Sequence, residues 1–330
     1  MSKARPRPMR RLRLLILAAG LLFLLWNAVA LAQARAMTHY SPGGERTPRI
    51  EDMTLPEKAW AVFTGLNVPR PANTHAPHDA GLEYETRHIN ASAGEELEAW
   101  YVPARQSRGI VLMFPGYAER KESLLPAAVA FHDLGYDALM VDFRGTGGSS
   151  GNDTTLGVRE GTDVALSLRY AKDTWPGKPV TLYGVSMGAA AILRAIAAEG
   201  AQPDAIVLES PFDRLVSTVA NRFHSMGLPA FPSAQLLVFW GSVQQGFNGF
   251  NHNPVDYARQ VRCPSLLLHG DQDPRATPAQ ARSVFDNLSG PREFVAFTGA
   301  RHESLVTRDP TLWKSKVGAF LERTNRLNPP

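Results

Sequence analysis

Cysteine is almost missing from this chain: Cys263 is the only one in 330 residues. That excludes a disulfide framework and a zinc site built on clustered thiolates. Cys263 lies between Arg262 and Pro264 at the entry to an apolar run, where a lone cysteine reads as a small buried residue. The scarcity does not name a compartment, because 44% hydrophobic residues suffice for a core that needs no disulfides. Acids are missing from the first 13 positions, which hold Lys3, Arg5, Arg7, Arg10, Arg11 and Arg13. The net charge of +4 therefore belongs to this tail, and the remainder, +4 less six, carries −2. A basic excess so confined argues against nucleic acid as a partner. Internal repeats, heptads and low-complexity tracts are also lacking.

Charge of either sign is then absent from residues 14–34, where Leu14-Leu15-Ile16-Leu17-Ala18-Ala19-Gly20-Leu21-Leu22-Phe23-Leu24-Leu25-Trp26 is nearly pure hydrocarbon. As a helix, such a run spans the ~30 Å of a bilayer core. The basic flank predicts a cytoplasmic N-terminus with the rest of the chain exported, a single-pass anchor in the cytoplasmic membrane. Ala30-Leu31-Ala32 and Ala32-Gln33-Ala34 also fit signal-peptide cleavage, but the apolar run exceeds the usual signal core, which favours an uncleaved anchor. Either way the domain leaves the cytoplasm, to a periplasmic or equivalent space.

Residues 37–80 are rich in Pro, Gly, Asn and His, with only Lys58-Ala59-Trp60-Ala61-Val62-Phe63 suggesting a short helix. They read as a linker lying on the domain. Two alternating strands follow, near 82–89 and 96–102, with a hairpin signal at Asn90-Ala91-Ser92-Ala93-Gly94. Further strands are expected near 109–114, 137–142, 179–184, 204–209, 264–269 and 292–298, alternating with helical segments. That rhythm signifies an α/β fold, a mostly parallel eight-stranded sheet with helices on both faces. Ser123 is expected to N-cap the helix after the third strand, with Pro126 in its first turn, and Gly200 to close the helix that Ala189-Ala190-Ala191-Ile192-Leu193 opens. Between Glu209 and Pro264 more than fifty residues intervene where one helix would need fewer than twenty. This insertion, about 212–260, holds Phe223, Leu228, Phe231, Leu236, Leu237, Val238, Phe239, Trp240, Phe247 and Phe250, some of which are expected to line a pocket.

Chemistry concentrates at strand ends. Tyr183-Gly184-Val185-Ser186-Met187-Gly188 follows an apolar run and enters Ala189-Ala190-Ala191-Ile192-Leu193, a strong helix former. A serine becomes an exposed nucleophile when a strand turns abruptly into a helix around it, and glycines two residues to either side permit that turn. Downstream, Pro264-Ser265-Leu266-Leu267-Leu268-His269 ends at Gly270-Asp271-Gln272-Asp273, and Phe294-Val295-Ala296-Phe297-Thr298 ends at Gly299-Ala300-Arg301-His302. The order Ser, Asp, His differs from the two main serine-protease orders. Each candidate lies just beyond the carboxyl end of an expected parallel strand, where open α/β sheets place their sites.

With these motifs the chain resembles the α/β-hydrolase superfamily over residues 82–321. Val141-Asp142-Phe143-Arg144-Gly145-Thr146-Gly147-Gly148-Ser149-Ser150-Gly151 is similar to the turn after that family's fourth strand, Gly270-x-x-Asp273 to its acid turn, and Gly299-x-x-His302 to its histidine loop. The apolar N-terminal segment, with Glu98-Ala99-Trp100-Tyr101-Val102-Pro103 before the third strand, resembles membrane-anchored bacterial serine hydrolases. The resemblance implies a cap insertion above the site and a catalytic set of Ser186 as nucleophile, His302 as base and Asp273 as acid. Asp271 is a close competitor for the acid, and His269 a weaker one for the base. Backbone amides of Tyr117 and Met187 are implied as the oxyanion hole, although Pro115-Gly116 replaces the family's frequent His-Gly. Asp142 and Arg144 are implied to brace their loop by ion pairing. The chemistry so implied is cleavage of a small-molecule or lipid-derived ester with no cofactor and no metal. Amide cleavage, or a catalytically silent binding protein of the same fold, are the alternatives.

Overall fold

A computed structural model describes residues 8–48, 53–91 and 94–327. Lys3, Arg5 and Arg7 of the basic tail lie outside the described residues, as do Ser92 and Ala93 of the expected hairpin turn. Eight strands, β1 (Glu85–Asn90), β2 (Glu96–Val102), β3 (Ile110–Phe114), β4 (Asp137–Val141), β5 (Val180–Val185), β6 (Ala205–Glu209), β7 (Ser265–Gly270) and β8 (Arg292–Phe297), form one sheet in the order β1-β2-β4-β3-β5-β6-β7-β8. The five pairings from β4 to β8 are parallel, and β2 runs antiparallel to both its neighbours, so the sheet is mixed.

The helices are α1 (Pro8–Thr38), α2 (Leu55–Thr64), α3 (Leu125–Asp133), α4 (Val158–Thr174), α5 (Met187–Glu199), α6 (Leu215–Ser225), α7 (Ser233–Gln245), α8 (Pro254–Tyr257), α9 (Pro278–Asn287), α10 (Leu305–Arg308) and α11 (Pro310–Leu327). Strand residues alternate between two cores because successive side chains point to opposite faces. Leu112, Leu182, Ile206 and Leu267 pack with α4, α5 and α9 on one face. Val111, Tyr183, Val207 and Leu266 pack with α3 and α11 on the other.

Two expected boundaries move. The first strand starts at Glu85 instead of Leu82, because Leu82 closes a turn by donating its amide to the Pro77 carbonyl. Residues 121–124 form a 3-10 turn, so the third-strand helix starts at Leu125 with Pro126 in its first turn, and Ser123 turns its hydroxyl to the Arg120 carbonyl instead of capping. Gly200 ends α5 in the left-handed conformation, as expected.

The strand order reverses between β3 and β5. β4 lies on one side of β3, and after α4 the chain crosses to the other side. Phe114 pairs with Gly184 there, which sets the turn after β3 beside the turn after β5. A crevice at the carboxyl ends of the strands opens where the order reverses.

Candidate active site

Ser186 stands between β5 and α5 with φ 53° and ψ −108°, a backbone conformation that a non-glycine residue adopts only when its surroundings enforce it. The enforcement is visible. Its amide donates to the Glu209 carbonyl at 2.7 Å, and its carbonyl accepts from Ala190 at 3.1 Å. A Cβ on Gly188 would come within 2.3 Å of the Phe114 carbonyl oxygen, and one on Gly184 within 2.6 Å of the Gly188 carbonyl carbon. Only glycine lets α5 approach β3 and β5 this closely.

His302 projects from the loop between β8 and α10. Its Nε2 lies 3.1 Å from Ser186 Oγ, and its Nδ1 lies 2.6 Å from Asp273 Oδ2. Asp273 is fully buried, and its other oxygen accepts the amides of Arg275 at 2.8 Å and Ala276 at 3.0 Å. Those two bonds hold the carboxylate rigid and leave Oδ2 for the imidazole. Asp271 turns elsewhere: its carboxylate accepts from the Gly299 amide at 2.7 Å and ties the β7 turn to the histidine loop. His269 is buried at the end of β7, and desolvation pulls its pKa down.

The turn after β3 supplies Gly116 and Tyr117, which line a cleft of about 530 Å³ together with Ser186, Met187 and His302. Tyr117 donates its phenol to the Met37 carbonyl at 2.7 Å, and the Arg222 guanidinium lies over its ring. Asp142 and Arg144 brace their turn through different partners. Asp142 pairs with the buried Lys121, whose ammonium also meets Glu98 at 2.6 Å, while Arg144 bonds Asp163 at 2.7 Å and Glu95 at 2.8 Å.

Three features had no mark in the sequence pattern. Glu209 at the end of β6 is buried beside the cleft, where it accepts from the Leu305 amide at 2.9 Å, the Tyr183 phenol at 2.8 Å and the Trp313 indole at 3.3 Å. Burial pushes its pKa up, opposed by those three donors and by His302 nearby. One residue thus ties the serine turn, through its carbonyl, to the loop that carries the histidine. Second, the 37–80 segment builds a wall of the cleft with Arg46, Thr47, Pro48 and residues 66–68. Third, none of the ten large apolar residues expected as pocket candidates lines this cleft: from the insertion, Phe212, Leu215, Thr218, Arg222 and Ser225 do. Leu237, Val238 and Phe247 line a second, smaller cavity, against Ala34, Met37 and Thr38 of α1. Among the described residues no group of three His, Cys, Asp or Glu could hold a metal ion.

A family model described as serine aminopeptidase, S33, matches residues 105–254. The solved esterase Pf2001 of Pyrococcus furiosus superposes with a TM-score of 0.65 at 25% identity, over 78% of this chain and 97% of that one. The chain has the α/β-hydrolase fold and is similar to members of that superfamily. An uncharacterised protein of Bacillus subtilis, YqkD, is 23% identical over 241 residues, 72% of this chain and 79% of its own. The lysophosphatidylserine lipase ABHD12 of Danio rerio is 24% identical over 288 residues, 81% of this chain and 72% of its own. These α/β-hydrolase relatives include both a lipase and proteins without an assigned activity.

Proposed function

We propose that this α/β hydrolase cleaves a carboxylic ester or related acyl bond through Ser186, His302 and Asp273. The observation that carries the reading is the continuous chain Asp273 Oδ2, His302 Nδ1, His302 Nε2, Ser186 Oγ, with links of 2.6 and 3.1 Å, at the floor of a cleft. His302 takes the Ser186 proton as the hydroxyl attacks the acyl carbon, and Asp273 holds the tautomer and stabilises the imidazolium. Amides of Tyr117 and Met187 receive the oxyanion, and the returned proton releases the alcohol. Water then repeats the sequence on the acyl-enzyme.

The test is a fluorophosphonate probe together with ester turnover on the full chain. The probe should label wild type and not Ser186→Ala, whose turnover should fall by ~10³ or more while the fold persists. A mutant that keeps a tenth of wild-type turnover refutes the assignment, and a wild type that takes no label identifies a silent binding protein. One observation favours peptidase activity as a second reading: the matching family model is named for an aminopeptidase, and Glu119 and Glu303 border the cleft, where a substrate ammonium group would need a carboxylate. Esters of graded chain length beside aminoacyl amides decide between them. The esterase and lipase names among its relatives support the ester reading.

We also propose that α1 anchors the protein in the cytoplasmic membrane with the hydrolase domain exported. Its uncharged run of 21 residues, 14–34, is helical throughout, and the side chains of residues 14–25 are exposed. Retention is supported over cleavage because Ala30 and Ala34 are buried within the structure and α1 packs along α7.

A further inference from the structure

The uncharged part of α1 that stands free of the domain is too short to cross a bilayer. Residues 14–25 stand clear of the domain, and twelve helical residues rise only about 18 Å against the ~30 Å of a hydrocarbon core. The uncharged run continues through residues 26–34, which lie alongside α7. Trp26 Nε1 donates to Ser233 Oγ at 3.2 Å, Trp240 Nε1 to Asn27 Oδ1 at 3.1 Å, and Gln244 Nε2 to the Leu31 carbonyl at 3.0 Å. If the whole run spans, α7 goes into the bilayer beside it.

The chemistry of the α6–α7 region fits that placement. Residues 223–255 hold no Asp, Glu, Lys or Arg, in a chain where 20% of residues are charged and 33 positions would carry six or seven. Unlike a helix on the surface of a soluble domain, α7 carries apolar residues on its outer face as well as its inner one. Its buried positions are Ala234, Val238 and Gly241, while Phe239 and Val243 are exposed and Leu236 and Trp240 are half-buried. In the turn before it Phe231 is 76% exposed, and Leu228 is exposed as well. The contact with α1 is made by small residues: a Cβ on Gly241 would lie 4.0 Å from the Ala34 Cβ and 3.9 Å from Thr38 Cγ2. Close approach over Gly and Ala, with polar groups bonded across the pair, is how helices associate in lipid. Both indole N–H groups are satisfied within the protein, as membrane depth requires.

We propose that α7 and the α6–α7 turn are inserted into the leaflet on the domain's side, with Leu228, Phe231, Phe239 and Val243 in contact with acyl chains. The inference rests on the anchoring reading of α1. It deepens the substrate reading too: α6 packs on α7 and lines the cleft with Leu215, Thr218 and Arg222, so the cleft stands at the lipid surface and its substrate is an amphiphilic acyl ester held in that leaflet.

The test uses the full chain with Cys263→Ser and one new cysteine at a time: Leu21→Cys, Phe231→Cys, Val243→Cys, and Lys316→Cys on α11. Each is labelled with an environment-sensitive fluorophore and placed in phosphatidylethanolamine/phosphatidylglycerol vesicles with or without brominated acyl chains. Fluorophosphonate labelling checks that each variant is folded. Brominated lipid should extinguish fluorescence at 21, 231 and 243 and leave 316 unchanged, while aqueous iodide should quench 316 only. Quenching at 21 by lipid, with 231 and 243 quenched by iodide, overturns the insertion and leaves the anchor standing. Positions 231 and 243 shielded from both quenchers point to a second copy or another protein on this face and likewise overturn it. Loss of lipid quenching at 21 overturns the anchor and the insertion together.

Discussion

Two aspartates two residues apart meet different fates, and the reason is which oxygen each turn leaves over. Asp273 gives one oxygen to two backbone amides and the other to His302, whereas Asp271 is occupied by the Gly299 amide. Asp273→Asn should therefore lower kcat by about 10⁴, because an amide opposite Nδ1 selects the wrong tautomer and cannot stabilise the imidazolium. Asp271→Asn keeps a carbonyl oxygen for Gly299 and should cost less than about tenfold, the weight of one weakened hydrogen bond. Steady-state turnover of both variants checks this, and equal losses would reverse the assignment. The Gly-x-x-Asp spacing favoured Asp273 in the sequence, but nothing in the pattern showed what Asp271 does instead. Glu209 was not legible at all, since its partners Tyr183, Leu305 and Trp313 come from β5, α10 and α11.

Elements were legible where local chemistry dictates them. Apolar β-branched runs bounded by glycine and proline located the strands within a residue or two, except the first, whose start at Leu82 was overruled by a turn hydrogen bond. The sharp turn from β5 into α5 was readable because Gly184 and Gly188 have no substitute there. Gly188→Ala should lower stability by about 1–3 kcal/mol or more, since the new methyl meets the Phe114 carbonyl at 2.3 Å. Gly116→Ala, whose Cβ would meet nothing nearer than 3.7 Å, should stay within about 0.5 kcal/mol. Chemical denaturation midpoints separate the two, and a tolerated Gly188→Ala would mean that the close approach of α5 to β3 is not required. The insertion between β6 and β7 misled for a physical reason. Aromatic composition does not say which way a side chain faces, and α7 turns Ala234, Val238 and Gly241 inward and Phe239 and Val243 out.

At the scale of the whole molecule, the proposed anchoring through α1 makes the polarity of the N-terminus decide the orientation in the membrane. Six basic residues on one side of an uncharged run, with no acid among them, predict that the chain from about residue 37 lies outside the cytoplasm. A C-terminal reporter that functions only outside the cytoplasm should be active, and the protein should stay with membranes through high salt. A reporter active only inside refutes the orientation. A soluble product beginning after Ala32 or Ala34 refutes the anchor and leaves export intact.

The sequence by itself determined the alternation of strand and helix, the glycine-flanked serine, the order of the three candidate residues and the apolar run, because each follows from covalent geometry or from side-chain chemistry within a few positions. Only the tertiary structure decided that Asp273 and not Asp271 faces His302, that Glu209 ties the serine turn to the histidine loop, and that the segment after α1 walls the cleft. It alone laid the second half of α1 along α7. These arrangements join residues far apart in the chain, and such contacts are set by packing in three dimensions, to which spacing along one dimension is blind.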